Sequence, residues 1–241
     1  DEVKTVLEDE FGKWQAKGSK GIKQIAQASL PEQGRTIIID RPGSQQSLIL
    51  AAHLAPPTGI DNNIAIETMN QTLGGAFTAR VNMNLREDKG WAYGAYTFLQ
   101  DARGQRPFMV YAPVQTDKTG ASLLELKKEL NSYLGDKPPM PDELERARLD
   151  QVRSLPGQYE TSTAVLGSLL SSSRFNRPYN YPETLVEQYN ALTLDDLENA
   201  AAQVVMPGKL TWLIIGDAEK IKEEVEAAGV GPVSVQSMSS L

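Results

Sequence analysis

Arg86 and Tyr93 are the two side chains of this sequence best placed to act together on a carbonyl group. The pattern predicts a helix from about Phe77, with Val81 and Leu85 four apart, and Arg86 falls in its last turn. Gly90 follows where a left-handed cap belongs, and Tyr93 comes near the start of the next strand. The two are seven residues apart in sequence, but the reversal at Gly90 folds them back toward each other. A guanidinium and a phenol pointing into one space can hold a carbonyl and stabilise the oxyanion that develops from it. A plainer reading stands beside this one. An Arg at a helix C-terminus complements the dipole, and a Tyr in a strand is ordinary. Spacing alone favours the plainer reading.

Most other chemistry is excluded by what is missing. The 241 residues contain no Cys, hence no disulfide, thiolate nucleophile or thiolate metal site. The one His, His53, cannot by itself build a zinc site, which needs three or four ligands. It lies in an apolar strand and reads as a hydrogen-bonded structural residue. No G-x-S-x-G elbow offers it a nucleophile. Gly74-Gly75 lacks the Lys-Ser/Thr of a phosphate loop and reads as a helix break that allows close packing. The charge-rich stretches 125–129 and 143–148 read as solvated helix faces, and Asp195-Asp196 as helix-start acids. The loop 174–181, with Arg174, Phe175, Arg177, Tyr179 and Tyr181, reads as packing its aromatics on the domain edge.

These residues need elements to position them. A helix carrying Val3, Val6, Leu7 and Phe11 opens the chain, and a Gly-, Lys-, Gln- and Ser-rich connector follows to Gly34. Strands are predicted at 35–40 and 46–54, separated by the Pro42-Gly43 turn. A helix over 61–73 and the helix from Phe77 come next, and then a hairpin of strands at 91–99 and 107–115. Four helical segments follow: one through Leu123, Leu126, Leu130 and Leu134, one from Pro141, one at 160–171, and one capped by Thr193-x-x-Asp196. A strand at 209–215 and a helix at 218–228 close the pattern. Strands arrive as adjacent pairs, so the fold class is α+β, with a largely antiparallel sheet packed by helices. Alternation along 91–98 puts Tyr96 and Phe98 on the buried face and Tyr93 on the opposite, partly exposed one.

The segment 74–96, GGAFTARVNMNLREDKGWAYGAY, resembles the second half of pitrilysin-like zinc peptidases, the inverzincins, which include the mitochondrial processing peptidase. Asp40-Arg-Pro-Gly-Ser-Gln-Gln-Ser47 is similar to that family's lead-in to its second strand, and Gly216-Asp217 to its closing turn. The resemblance covers about 35–230. Phe11, Gly12 and Trp14 resemble the end of the preceding domain. The implied organisation is therefore a final helix of a preceding domain plus linker (1–34), a zinc-free domain (35–230) and a flexible tail (231–241).

The resemblance implies a function. One half of such an enzyme carries H-x-x-E-H and its zinc; that motif is absent here, so neither ligands nor general base carry over. The zinc-free half closes over a substrate peptide, and Arg86 and Tyr93 match its Arg/Tyr pair. Both are implied as substrate-binding and catalytic residues, with Arg86 positioning the substrate or its own half's loop and Tyr93 bonding the scissile carbonyl oxygen. No cofactor is implied in this chain; zinc belongs to a homologous partner half, on the same chain or a separate subunit. The alternative is a non-catalytic scaffold subunit of the same family, and H-x-x-E-H in the companion discriminates the two. The net charge of −7, with 24 Lys+Arg against 31 Asp+Glu, argues against a nucleic acid or an anionic membrane surface as partner. No apolar run approaches the roughly 18 residues that cross a bilayer. Periplasm and cytoplasm are both compatible with a chain lacking Cys.

Overall fold

The computed structural model describes residues 2–15, 17–19, 21–22 and 24–237. The strands are β1 (Arg35–Asp40), β2 (Gln46–Ala55), β3 (Tyr96–Leu99), β4 (Arg106–Gln115), β5 (Thr211–Gly216) and β6 (Val233–Ser237). The α-helices are α1 (Glu2–Phe11), α2 (Asn63–Asn70), α3 (Arg80–Asn82), α4 (Thr119–Leu134), α5 (Pro141–Ser154), α6 (Ser162–Arg174), α7 (Tyr181–Ala191), α8 (Leu194–Val204) and α9 (Ala218–Ala227). Helices α2 and α3 run on into π-helical segments, Gln71–Gly75 and Met83–Asp88.

The α+β class holds, but the sheet is mixed. Its order is β3–β4–β2–β5–β1–β6. Strand β2 pairs antiparallel with β4 and β5, and β3 antiparallel with β4, whereas β1 runs parallel to both β5 and β6. The expectation of a largely antiparallel sheet treated strands adjacent in sequence as partners. Strands β1 and β2 flank the Pro42-Gly43 turn yet do not pair, because β5 returns between them. The segment expected as a fraying tail supplies β6 along β1, from Thr36↔Val233 to Asp40↔Ser237; 238–241 lie outside the described residues.

Strand β2 shows what the sheet buries. Ser47, Ile49, Ala51, His53 and Ala55 point to the helix-covered face and are buried, while Leu48, Leu50, Ala52 and Leu54 are half-buried on the other. The core joins Ile38, Ile49, Val110, Trp212 and Ile214 of the sheet to Leu123, Leu126 and Leu130 of α4, Leu197 of α8, and Ile221 and Val225 of α9. Each such fully buried aliphatic side chain contributes about 1.5–3 kcal/mol. Helix α7 is an element the sequence reading did not place. Pro182 sits in its first turn, where a missing N–H costs nothing, and so marks the start of the helix. Leu185 and Tyr189, four apart, bury its inner face against Ile64 and Leu155. Thr193 and Asp196 form the expected capping box on α8, with bonds of 3.2 and 2.9 Å.

Candidate functional site

The turn at Gly90 builds the site. The π segment Met83–Asp88 widens the end of the helix, so Lys89 N–H reaches the Asn84 carbonyl, five residues back, at 3.0 Å. Gly90 adopts φ 65° and donates to the Arg86 carbonyl at 3.1 Å, and Trp91 N–H reaches Leu85 at 2.9 Å. This is a left-handed cap widened by one residue. Val81 and Leu85 stay buried while Arg86 turns to the surface.

Past the cap, the strand is delayed. Ala92 makes an isolated bridge to Val114, and the regular ladder begins only at Tyr96. The irregular residues between them reset the alternation. Tyr93 is 88% exposed, as expected for the open face. Ala95 and Thr97, expected to share its face, are buried, and Phe98, expected inside, is exposed. The predicted face assignment is therefore wrong from Ala95 onward, because it extended period-two alternation through a break.

The structure brings Arg86 and Tyr93 together: the guanidinium carbon lies over the Tyr93 ring, 5.2 Å from its centroid. It also lies over Phe77, 4.4 Å from that centroid, and Arg86 Nε meets Glu87 Oε1 at 3.1 Å. Phe77, which the pattern makes the first residue of the helix carrying Val81 and Leu85, is half-exposed and lies at the site. Arg86 and Tyr93 present hydrogen-bond donors on open surface, suited to gripping a carbonyl or holding an oxyanion. Beside them stands one carboxylate, Glu87, held in the ion pair with Arg86.

Asn82 is the second residue missed. It is wholly buried; its Nδ2 donates to the Phe77 carbonyl at 2.6 Å and its Oδ1 accepts from Ala95 N–H at 3.0 Å. The signal was Asn82 and Asn84 in a helix, where Asn is a poor former. Asn84 donates to Glu125 and Glu129 at 2.8 and 2.6 Å. Desolvation alone would raise the Glu125 carboxyl, but bonds from Asn84 and Lys128, with the charges of Lys128 and Lys89, hold it below its usual range. Glu143 forms a mostly buried ion pair with Arg80 at 2.5 Å. These acids, expected on solvated faces, tie helices together.

His53 offers no metal ligand. Its Nδ1 bonds the Leu54 carbonyl at 3.1 Å, its Nε2 accepts from Met206 N–H at 3.3 Å, and its ring stacks on Phe108. Both nitrogens are engaged, and burial lowers its pKa. Among the described residues there is no group of three or more His, Cys, Asp or Glu able to hold a metal ion. The described residues do not fit a zinc ion. No described helix is long and apolar enough to cross a membrane.

The class the fold defines is an α+β domain, a six-stranded mixed sheet backed by helices, with the Arg86–Tyr93 contact at one helix–strand junction. Residues 1–149 match the family described as the peptidase M16 inactive domain, and the chain belongs to that family. It is similar to the peptidase M16 inactive domain from Pseudomonas fluorescens, at 24% identity and TM-score 0.73 over 82% of this chain and 46% of that one. It is similar to a protease from Helicobacter pylori, at 16% identity and TM-score 0.78 over 89% and 52%. The first half of the periplasmic protease PqqL from Escherichia coli aligns at 16% identity and TM-score 0.70 over 94% and 53%. The chain thus spans about half the length of these solved structures. No curated protein sequence matches it.

Proposed function

We propose that this chain is the zinc-free half of a zinc-dependent peptidase, closing over a peptide held by a homologous, zinc-carrying half. The observation that carries the reading is the Arg86–Tyr93 contact at the exposed helix–strand junction. Arg86 positions the peptide through its main-chain carbonyls. Tyr93 donates to the scissile carbonyl oxygen as it becomes anionic, an interaction strongest in the transition state. Water activation belongs to the companion, whether it lies on the same chain or a separate one. Residues 1–34 are then the last helix of a preceding domain and its linker. In support, α1 buries none of its residues here, and Val3, Val6, Leu7 and Phe11 are all exposed.

The test is to assemble the chain with its companion half and follow cleavage of a quenched fluorescent peptide with Arg86→Gln and Tyr93→Phe. Both variants should keep zinc content and assembly while losing turnover. A companion lacking H-x-x-E-H, or an assembly that cuts no peptide in a broad library, would replace the reading by that of a scaffold subunit.

A further inference from the structure

Neither segment flanking Arg86 is held by regular secondary structure where it touches the guanidinium. Phe77 lies between the π segment that ends at Gly75 and α3, and Tyr93 lies between an isolated bridge and β3. Yet both rings meet one guanidinium, at 4.4 and 5.2 Å. Both segments are tied to one buried side chain. The Asn82 amide donates to the Phe77 carbonyl at 2.6 Å and accepts from Ala95 N–H at 3.0 Å, and Asn82 stands one helical turn before Arg86. Flipping the amide would set donor against donor and acceptor against acceptor, so its orientation is fixed by its partners. Asp lacks the donor, Leu lacks both functions, and Gln is one methylene too long for the same span.

We propose that Asn82 is the positioning residue of this site, holding the Phe77 and Tyr93 segments so that both rings enclose the Arg86 guanidinium. Phe77 is the second member of the device, and its ring fixes where the guanidinium points. The inference rests on the reading of Arg86 and Tyr93 as the working pair. Its geometric content is tested without any substrate.

The experiment is side-chain NMR on the whole chain, reading the Arg86 Nε–Hε resonance, which the nearby rings displace by their ring currents. Phe77→Leu should move this resonance toward the position of solvent-exposed arginines such as Arg146, and Phe77→Tyr should restore it. Phe77 is half-exposed, so these variants preserve the core. Asn82→Asp keeps the acceptor for Ala95 N–H and should lose the Phe77 share of the displacement; Asn82→Leu should lose both shares. If either Asn82 variant does not fold, Asn82→Ser, too short to reach both partners and without a bulk or charge penalty, carries the same test and should lose displacement likewise. An Arg86 resonance unmoved by Phe77→Leu, or by a folded Asn82→Asp or Asn82→Ser, overturns the inference. In the assembled enzyme, Phe77→Leu and a folded Asn82→Asp should lower kcat/KM by up to about 10²-fold, the scale of a misplacement near 1 Å. A displaced resonance with unchanged kinetics upholds the positioning and refutes the working pair, whereas unchanged resonance refutes the positioning alone.

Discussion

Gly90 donates its amide hydrogen to the Arg86 carbonyl at 3.1 Å from a backbone with φ 65°. That turn reverses the chain within four residues and sets Tyr93 under the guanidinium of Arg86. Gly90 has open space where a Cβ would go, so only its left-handed conformation demands glycine. The cap turns the chain back toward Arg86, and the bond from Ala95 N–H to the buried Asn82 then holds the following segment beside the helix.

If the proposed reading holds, Tyr93→Phe in the chain assembled with its companion half removes one working hydroxyl, from a residue that is 88% exposed. Folding should be unaffected. The loss of an oxyanion donor should lower kcat by about 10²–10³, with kcat/KM falling in parallel because the bond is made in the transition state. Steady-state kinetics of the two proteins decides it, and equal kcat values would return Tyr93 to an ordinary surface residue.

The isolated chain should bind no stoichiometric zinc. Its one His has both ring nitrogens in hydrogen bonds, and it has no Cys. Elemental analysis of the tag-free protein after dialysis against micromolar zinc measures this. One firmly held zinc per chain would contradict the ligand count.

Acid should destabilise the domain through His53. Burial lowers its folded-state pKa below the ordinary value of 6.5, against a smaller opposing effect of the Leu54 carbonyl. The unfolded state therefore takes up a proton first as pH falls. The contribution is fully present above about pH 6.5 and is lost between that value and the lower folded pKa, at up to about 1.4 kcal/mol per pH unit. Protonation also puts an N–H against Met206 N–H. Urea midpoints of wild type and His53→Gln at several pH values isolate this group from Glu67, whose desolvated carboxyl is raised and pulls the other way. Parallel pH profiles for the two proteins would show that His53 contributes nothing.

Gly74→Ala should cost about 1–3 kcal/mol by overpacking. A Cβ at Gly74 would stand 2.5 Å from Thr97 Oγ1 and 2.7 Å from Thr97 N, and the backbone of β3 cannot retreat without breaking its ladder to β4. Chemical denaturation of the variant reads the loss directly. A midpoint within error of wild type would mean that β3 moves freely and that the close approach of Gly74 to Thr97 carries no packing constraint.

Local physics was legible in the residues themselves. The Gly90 cap, the Thr193–Asp196 box, the β2 run and the α4 helix each depend on neighbours within a turn or two, and each is found where its pattern indicates, except that the buried stripe of α4 ends on Tyr133 and leaves Leu134 exposed. The pairing of Arg86 with Tyr93 was legible for the same reason, since the cap between them turns the chain back. What the chain order could not reveal is what depends on distant partners. Strand β5 enters between β1 and β2 because a hydrogen-bonding edge is filled by whichever strand completes the core, whatever its distance along the chain. Asn82 looks like a weak helix residue until tertiary packing carries the Phe77 carbonyl and the Ala95 amide to either end of its side chain. Phe77 reads as core by periodicity, yet stands over Arg86, because the chain enters α3 by an irregular turn that rotates it away from Val81 and Leu85. A π-helical residue or a strand bulge shifts every later side chain, and only the packed structure decides where those irregularities fall.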